Sequence, residues 1–502
     1  MDPCAHYASL PAIIADRAAR TPDAPFLAWA DGVTTYSACA EDSARRAAGF
    51  LGLGMHPKDL VLSLLSTRRD AVLALLAASW AKVVLAPANK WLSPQSLSAL
   101  ITYINPDWII ADEASAHLLV RYRRILPPSE RWIMAPAGGD TEPWTSRERT
   151  KATLPAPDFE PDDTCYVDFT SGSTGMPKGV PRTHGSIHSI SLSAIQALGL
   201  QPHDRHLSLF AAFAHPHETV ARAAVLGGML VCVDSLRPST IAEAVARHGV
   251  TCIMAVPTVY SLLSRRIDDP RFATLRLLES GGAVTPEPLI ERYRSRLGIP
   301  LTPVWGCTEA GGIAVASPSG QCRIQGSVGK LCPGFRSQLT SDDPSDSDQE
   351  GELLLRGPSL AREYFRLPDE TALAFRDGWY HSGDVFTCDT QGFYFFRGRT
   401  DEMIKVKALK VFPSEIEQTL LAHPKVAEAA VVPENGQDRL LAFVACAPGE
   451  TITAQVLRAF CRERLEPFKV PRIILLPSLP KTPSGKILKR ALSTGLPRPP
   501  QG

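Results

Sequence analysis

The sequence predicts an α/β fold: a large N-terminal region of layered sheets and helices with a β-barrel-like part, then a small α+β domain. Three observations carry this. Over residues 1 to about 330, short apolar runs alternate with amphipathic stretches, the pattern of strands and helices in layers. The apolar runs are nearly continuous rather than alternating, which argues for largely parallel sheets covered on both faces. After Gly351 the texture changes to short strand-like runs, Glu352–Arg356, Phe393–Phe396 and Ala429–Val432, first in a β-rich portion and then in a compact α+β unit. At 502 residues the chain is also too long for one core, so two or more domains are expected.

Taken in order, Leu60–Leu65 reads as a strand, Ala71–Ala81 as a helix and Val83–Ala86 as a strand. A helix is expected over Ser93–Ile104 with Ser93 as its N-cap, followed by a strand at Asp107–Ala111. Pro127–Pro161 is rich in proline and polar residues and reads as a long connection. Strands recur at Arg205–Leu209, Met229–Val233, Cys252–Ala255 and Leu275–Glu279, separated by helical stretches such as Ile241–His248 and Glu287–Leu297. Thr340–Glu350 is a polar, acidic loop.

Composition narrows the function classes. Hydrophobic residues make up 44% and charged residues 21%, ordinary for a globular enzyme. A formal net charge of +1 gives no broad attraction to nucleic acid or anionic membrane. No apolar run reaches bilayer length, because Arg68, Arg69 and Asp70 interrupt the longest candidate, Leu60–Ala86. The start, Met-Asp-Pro-Cys-Ala-His, lacks a basic segment and an apolar core, so no signal peptide is read. The eleven cysteines are scattered without Cys-x-x-Cys or zinc spacing and are expected to be reduced thiols of a cytoplasmic protein.

The richest stretch is Asp168–Gly179, Asp-Phe-Thr-Ser-Gly-Ser-Thr-Gly-Met-Pro-Lys-Gly, entered from the apolar run Cys165–Phe169. Its glycines let backbone N–H groups converge on one point, and the hydroxyls and Lys178 add donors and charge. The sum suits a polyphosphate, although it is not a Walker A loop, and a polar surface loop has the same composition. Downstream, Glu279-Ser-Gly-Gly-Ala283 is a glycine turn after a strand, the place where open α/β sheets bind ligands. In Val304-Trp-Gly-Cys-Thr-Glu-Ala310, Trp305 could stack on a base and Glu309 could hold Mg²⁺. Asp377–Asp384 offers a carboxylate for two ribose hydroxyls, Phe396–Asp401 offers Arg399, and Lys481–Lys486 presents a lysine on a Ser-Gly turn. Each is weak alone.

Together and in this order, they resemble the adenylate-forming superfamily: acyl- and aryl-CoA synthetases, stand-alone adenylation enzymes and luciferases. The resemblance runs over about residues 10 to 492, through Thr170–Gly179, Gly281–Ala283, Gly306–Glu309, Gly351–Pro358, Gly378–Asp384, Gly398–Glu417 and Pro483–Lys486. Pro181-Arg-Thr-His184 also resembles the aryl-acid activators. The resemblance implies an N-terminal adenylation core over 1–399 and a small mobile domain over 400–502. It implies ATP-dependent, two-step acid–thiol ligation with Mg²⁺. A carboxylate attacks the α-phosphorus to give an acyl-adenylate, and a thiol then displaces AMP. Phosphoryl transfer is mainly positioning and charge neutralisation, so donors, lysine and metal are the expected equipment. By similarity, Thr170, Ser171, Gly172, Ser173, Thr174, Gly175 and Lys178 hold the terminal phosphates. Gly282 and Ala283 frame the adenine, with Trp305 stacked near it on the Gly306 turn. Thr308 contacts the α-phosphate, Glu309 binds the metal, Asp384 and Arg399 hold the ribose, and Lys486 bridges carboxylate and α-phosphate. Asp401 matches the hinge, and Phe213, His215, Pro216, Gly281, Cys307 and Gly311 match the acid pocket.

Departures from the pattern refine this. Pro216 stands where α-amino-acid activators carry Asp and dihydroxybenzoate loaders carry Asn, which disfavours both substrates. Glu218 replaces a common glycine, either to meet a basic or hydroxyl group or simply as a helix N-terminal carboxylate. His203, His206, His215 and His217 invite a metal reading, but no further ligand completes a tetrahedral set. Ala408 replaces a glycine on the expected path of the thiol arm, and Cys307 lacks a neighbouring base that would make it a nucleophile. Only a proline-rich tail follows Lys489, so the acceptor is expected to be CoA or the phosphopantetheine of a separate acyl or peptidyl carrier protein. The leading expectation is a ligase for a non-α-amino aryl or acyl acid. The alternatives are an enzyme that loads only a carrier protein and an inactive adenylate-binding protein.

Overall fold

The computed structural model describes residues 9–136, 144, 157–170, 177–211, 214–320, 323–340, 350–406, 409–434, 439–447, 449–481 and 487–493. Two large sheets dominate. The six-stranded sheet runs in the order Trp132–Ala135, Trp108–Asp112, Leu60–Leu64, Val84–Pro87, Thr164–Phe169, Gly179–Thr183. It is parallel except for its last pair, a hairpin. The nine-stranded sheet runs Lys330–Leu331, Gly312–Ala316, Leu301–Cys307, Leu277–Ser280, Cys252–Ala255, Arg205–Ser208, Met229–Val231, Pro25–Trp29, Gly32–Thr35. Its six central strands are parallel, and antiparallel strands close both edges.

The apolar runs explain this layering. Leu60–Leu64 and Trp108–Asp112 are buried at every residue, as strands covered on both faces must be. The helix Arg68–Trp80 is buried from Arg69 to Trp80, so it has no solvent face. With Leu10–Arg20, Tyr36–Leu53, His184–Leu198 and Pro216–Leu226 it contributes to one apolar cluster that includes strand residues of both sheets, among them Leu85, Tyr166, Leu230 and Val315. Thr67 caps this helix by accepting from the Asp70 backbone N–H, and Ser93 caps Pro94–Ile104 in the same way through Ser96. The outer face of the nine-stranded sheet is covered by Pro238–His248, Pro257–Leu263 and Glu287–Leu297.

A third, antiparallel sheet carries the β-rich portion: Arg336–Thr340, Glu350–Arg356, Trp379–Cys388 and Phe375–Arg376, with Tyr394–Arg399 on the other side of Trp379–Cys388. From Ile404 onward the chain has its own apolar core, built from Val411, Ile416, Ala442, Val444 and Leu457 among others. A mixed three-stranded sheet of Val426–Pro433, Leu440–Cys446 and Arg472–Leu475 supports it.

One expectation needs correction. Within the connection read over Pro127–Pro161 lies an edge strand, Trp132–Ala135, paired to Trp108–Asp112. It is four residues long and bounded by prolines, so neither length nor periodicity marks it. Of the loop read at Thr340–Glu350, the two end residues close strands and 341–349 lie outside the described residues.

The helix Pro216–Leu226 is tied to the central strand Leu277–Ser280 by charge. Arg222 donates to Glu279 Oε2 at 3.0 Å and to Glu218 Oε1 at 3.2 Å, and all three side chains are almost fully buried. Burial pushes the Glu279 carboxyl up, and Arg222 opposes it. Removing the only guanidinium of this triad leaves buried carboxylates unpaired. Arg222→Met should therefore cost about 3–5 kcal/mol, read as a lower denaturant midpoint, and an unchanged midpoint would reject the coupling.

Candidate active site

Three of the segments marked by the sequence follow the carboxyl end of a strand, where open α/β sheets leave a crevice. Thr170 follows Thr164–Phe169, Gly281 follows Leu277–Ser280, and Thr308 follows Leu301–Cys307. The polyphosphate-like stretch is a hairpin connection. It is closed by Thr170 N–H donating to Lys178 O at 3.0 Å and Lys178 N–H donating to Thr170 Oγ1 at 3.1 Å. Ser171, Gly172, Ser173, Thr174 and Gly175 lie outside the described residues. The Lys178 ammonium sits 4.8 Å from the centre of the Tyr364 ring. The Tyr364 hydroxyl donates to Glu309 Oε1 at 2.6 Å. One tyrosine thus joins the lysine of the loop to the carboxylate of the next motif.

The Glu309 turn is shaped by close backbone approach. Leu301–Cys307 pairs with Gly312–Ala316 and carries a bulge between Trp305 and Gly306. A Cβ on Gly306 would lie 2.1 Å from the Gly312 carbonyl oxygen, so only glycine fits. Gly311, at φ +83°, closes the turn by donating to Thr308 O at 3.0 Å. Arg182, fully buried, donates to Glu309 O at 3.1 Å and Ser359 O at 3.0 Å. Cys307 lines the same turn, and burial pushes its thiol up, away from nucleophilic chemistry. On the neighbouring turn Gly281 donates to Ala255 O, Gly282 has φ +78°, and Ala283 follows.

A second cluster forms around Asp384. Trp305 Nε1–H donates to Asp384 Oδ2 at 2.7 Å and Arg399 to Oδ1 at 2.8 Å. Arg399 also donates through Nε to Asp401 Oδ1 at 2.9 Å. Asp384 and Arg399 are direct cross-strand partners, which the sequence separation hides. Burial raises the Asp384 carboxyl to about 6, against the pull of Arg399 and Trp305.

Just before the helix Pro216–Leu226, His215 sits in the left-handed region at φ +47° and places Nδ1 2.9 Å from Asp168 Oδ2 at the root of the hairpin. Burial alone would raise the Asp168 carboxyl, but His215 holds it below the usual range. Pro216 opens the following helix. The histidine cluster does not form a metal site. His217 spends both ring nitrogens, one on the Tyr166 hydroxyl and one on Gly311 O at 2.8 Å. Burial pulls His217 down to about 3. Among the described residues no group of three or more His, Cys, Asp or Glu gathers as metal ligands. Glu218, read as a substrate contact or a helix-end carboxylate, stands in the first turn of Pro216–Leu226 and is also a member of the buried triad.

Phe213, Ala408 and Lys486 lie outside the described residues, although Lys481 and Ile487 on either side of Lys486 pair as a β-bridge. Sequence reasoning missed Tyr364, Arg182, Tyr166 and the Trp305–Asp384 bond. Tyr364 lies 55 residues from its partner in a run without glycine or repeated spacing, so it left no local signal.

The pattern of the AMP-binding enzyme family matches residues 14–365, and that of the AMP-binding enzyme C-terminal domain matches 415–486. The chain is 31% identical to a benzoate–CoA ligase of Thauera aromatica over 461 residues, 87% of this chain and 85% of the relative. It is 30% identical to a feruloyl-CoA synthase of an Amycolatopsis species over 489 residues, 94% and 96% of the two chains. The crystal structure of an anthranilate CoA ligase in complex with anthranoyl-AMP shares the fold, with a TM-score of 0.88 at 24% identity and 98% of both chains covered. Among the described residues no helix is long and apolar enough to cross a membrane.

Gly306→Ala should drive a Cβ into the facing carbonyl and displace Glu309. The expected cost is about 1–3 kcal/mol of stability together with loss of adenylate formation, and normal turnover in this variant would reject the close-approach argument. With both patterns matched along most of its length and relatives that are CoA ligases, the chain belongs to the AMP-binding enzyme family, as an AMP-forming acid–thiol ligase.

Proposed function

We propose that the chain ligates a small, non-α-amino aryl acid to CoA at the expense of ATP. The observation that carries this is the Lys178–Tyr364–Glu309 chain, which brings a cation and a carboxylate to one strand-end crevice. The aryl class is supported by the relatives named for benzoate and ferulate. Pro216 offers no charge to a substrate ammonium at the position where amino-acid activators carry one.

Lys178 and the hairpin hydroxyls hold the terminal phosphates. Glu309 fits Mg²⁺, a hard cation that takes one or two carboxylates together with phosphate oxygens. One Glu309 oxygen is already fixed by Tyr364, which sets the direction of the carboxylate. The metal when bound supplies charge neutralisation to the triphosphate. Asp384 and Arg399 hold the ribose, Thr308 meets the α-phosphate, and Lys486 steadies charge between the carboxylate and the α-phosphorus. The substrate carboxylate oxygen forms a bond to that phosphorus as pyrophosphate leaves. The thiol sulfur then bonds to the acyl carbon, losing its proton as AMP leaves. The small domain, from residue 400 onward, turns about Asp401 between the two steps.

Four measurements test this. Acid-dependent ATP–pyrophosphate exchange across a panel of aryl and aliphatic acids should be greatest with aryl acids, and no exchange with any acid would leave only a binding protein. Exchange without CoA turnover would move the thiol to a carrier protein. Lys486→Ala should lower exchange by at least ~10²-fold, the scale of losing one preorganised charge-stabilising donor. Tyr364→Phe should raise the Mg²⁺ concentration needed for half-maximal rate by roughly 10-fold, as expected for losing a hydrogen bond to a charged group. An unchanged Mg²⁺ requirement would remove Tyr364 from the site.

A further inference from the structure

The Trp305 indole does more than present a flat face. Its ring is held edge-to-face against the buried Phe386, with centroids 5.3 Å apart and planes at 83°. Its N–H reaches Asp384 Oδ2 at 2.7 Å. Phe386 and Asp384 are two residues apart on one strand, so one strand face fixes both the ring and its bond. An ionised carboxylate has about four lone-pair sites. Trp305 takes one on Oδ2 and Arg399 takes one on Oδ1, which leaves one on each oxygen. A ribose brings two hydroxyls. The backbone is also set, because Asp384 N–H donates to Ser382 Oγ at 3.1 Å.

We propose that Trp305 is a positioning residue whose indole N–H orients the Asp384 carboxylate so that each oxygen keeps one acceptor site for a ribose hydroxyl. Phenylalanine has no donor there, and tyrosine would place its hydroxyl elsewhere. The base contact and the sugar contact are thereby set by one side chain on the Trp305–Gly306 bulge. This rests on the reading of Asp384 as the ribose acceptor.

The charged and titratable groups facing Asp384 are Arg399 and Asp401 across the strand, Cys307 from the site turn, and Tyr380 on its own strand. Burial pushes Cys307 and Tyr380 up, so both stay neutral through the neutral range. Asp384, raised to about 6, gains a proton as pH falls through that value and loses an acceptor site. The Trp305 bond favours the ionised form. Its loss therefore moves the acid limb of kcat/KM for ATP to higher pH.

The test compares wild type, Trp305→Phe and Asp384→Asn. Trp305→Phe should raise KM for ATP roughly 10-fold or more, the effect of losing one bond to a buried charge, with KM for the acid unchanged. Its acid limb should move up. Its preference for ATP over 3′-deoxyATP should narrow by roughly 3- to 10-fold. If Asp384→Asn leaves kcat/KM for ATP intact, the ribose reading itself is wrong. If Asp384→Asn loses it while Trp305→Phe keeps the KM, the limb and the preference, Trp305 has no such role. Should Trp305→Phe fail to fold, the tryptophan isostere with sulfur in place of the indole N–H keeps the shape and removes only the donor. Wild-type behaviour of that isostere overturns the proposal.

Discussion

The Arg182 guanidinium is the contact on which the site's assembly depends. It sits on the second strand of the hairpin that carries Thr170 and Lys178 and is wholly buried. It donates to a carbonyl of the Glu309 turn and to one of the β-rich portion. The six-stranded sheet, the nine-stranded sheet and the antiparallel sheet thus meet at a single planar cation. Burial lowers its proton affinity, and Tyr166, Asp168 and Glu309 oppose that. A guanidinium suits this place because its fork of donors satisfies several carbonyls at fixed angles. A lysine would supply the charge and lose the geometry. Gly311 belongs to the same constraint, since a Cβ there would lie 2.3 Å from an Arg182 nitrogen.

Much of the fold could be read before any coordinate, and for physical reasons. Short continuous apolar runs such as Leu60–Leu64 and Cys252–Ala255, set between helical stretches, suit strands covered on both faces. Ser93 signals its helix through a side-chain cap that needs nothing beyond the next three residues. The edge strand Trp132–Ala135 was illegible because its pairing partner is distant and its own four residues carry no period. The candidate site divides in the same way. Glycines at forced turns, as at Gly306, announce themselves locally. The side chains that join the turns do not. Tyr364 acts on Glu309, Arg182 on Ser359 and Trp305 on Asp384 across 55, 177 and 79 residues.

Glu218 is the helix-end carboxylate that one of its two sequence readings expects, and it has a second task. A carboxylate in place of a small residue at the start of Pro216–Leu226 is unusual, and the sequence reading flagged it. The structure spends it on Arg222, which in turn holds Glu279 two residues before Gly281. The strand that leads into the Gly281 turn is therefore held from behind by buried ion pairs.

His217 has a consequence of its own. Its ring is dry, doubly bonded and titrates near 3. At the acidity of any ordinary buffer it behaves as a neutral amide would, donating on one side and accepting on the other. The surface beside Gly311 is therefore electrically quiet and stays the same whatever the proton concentration outside.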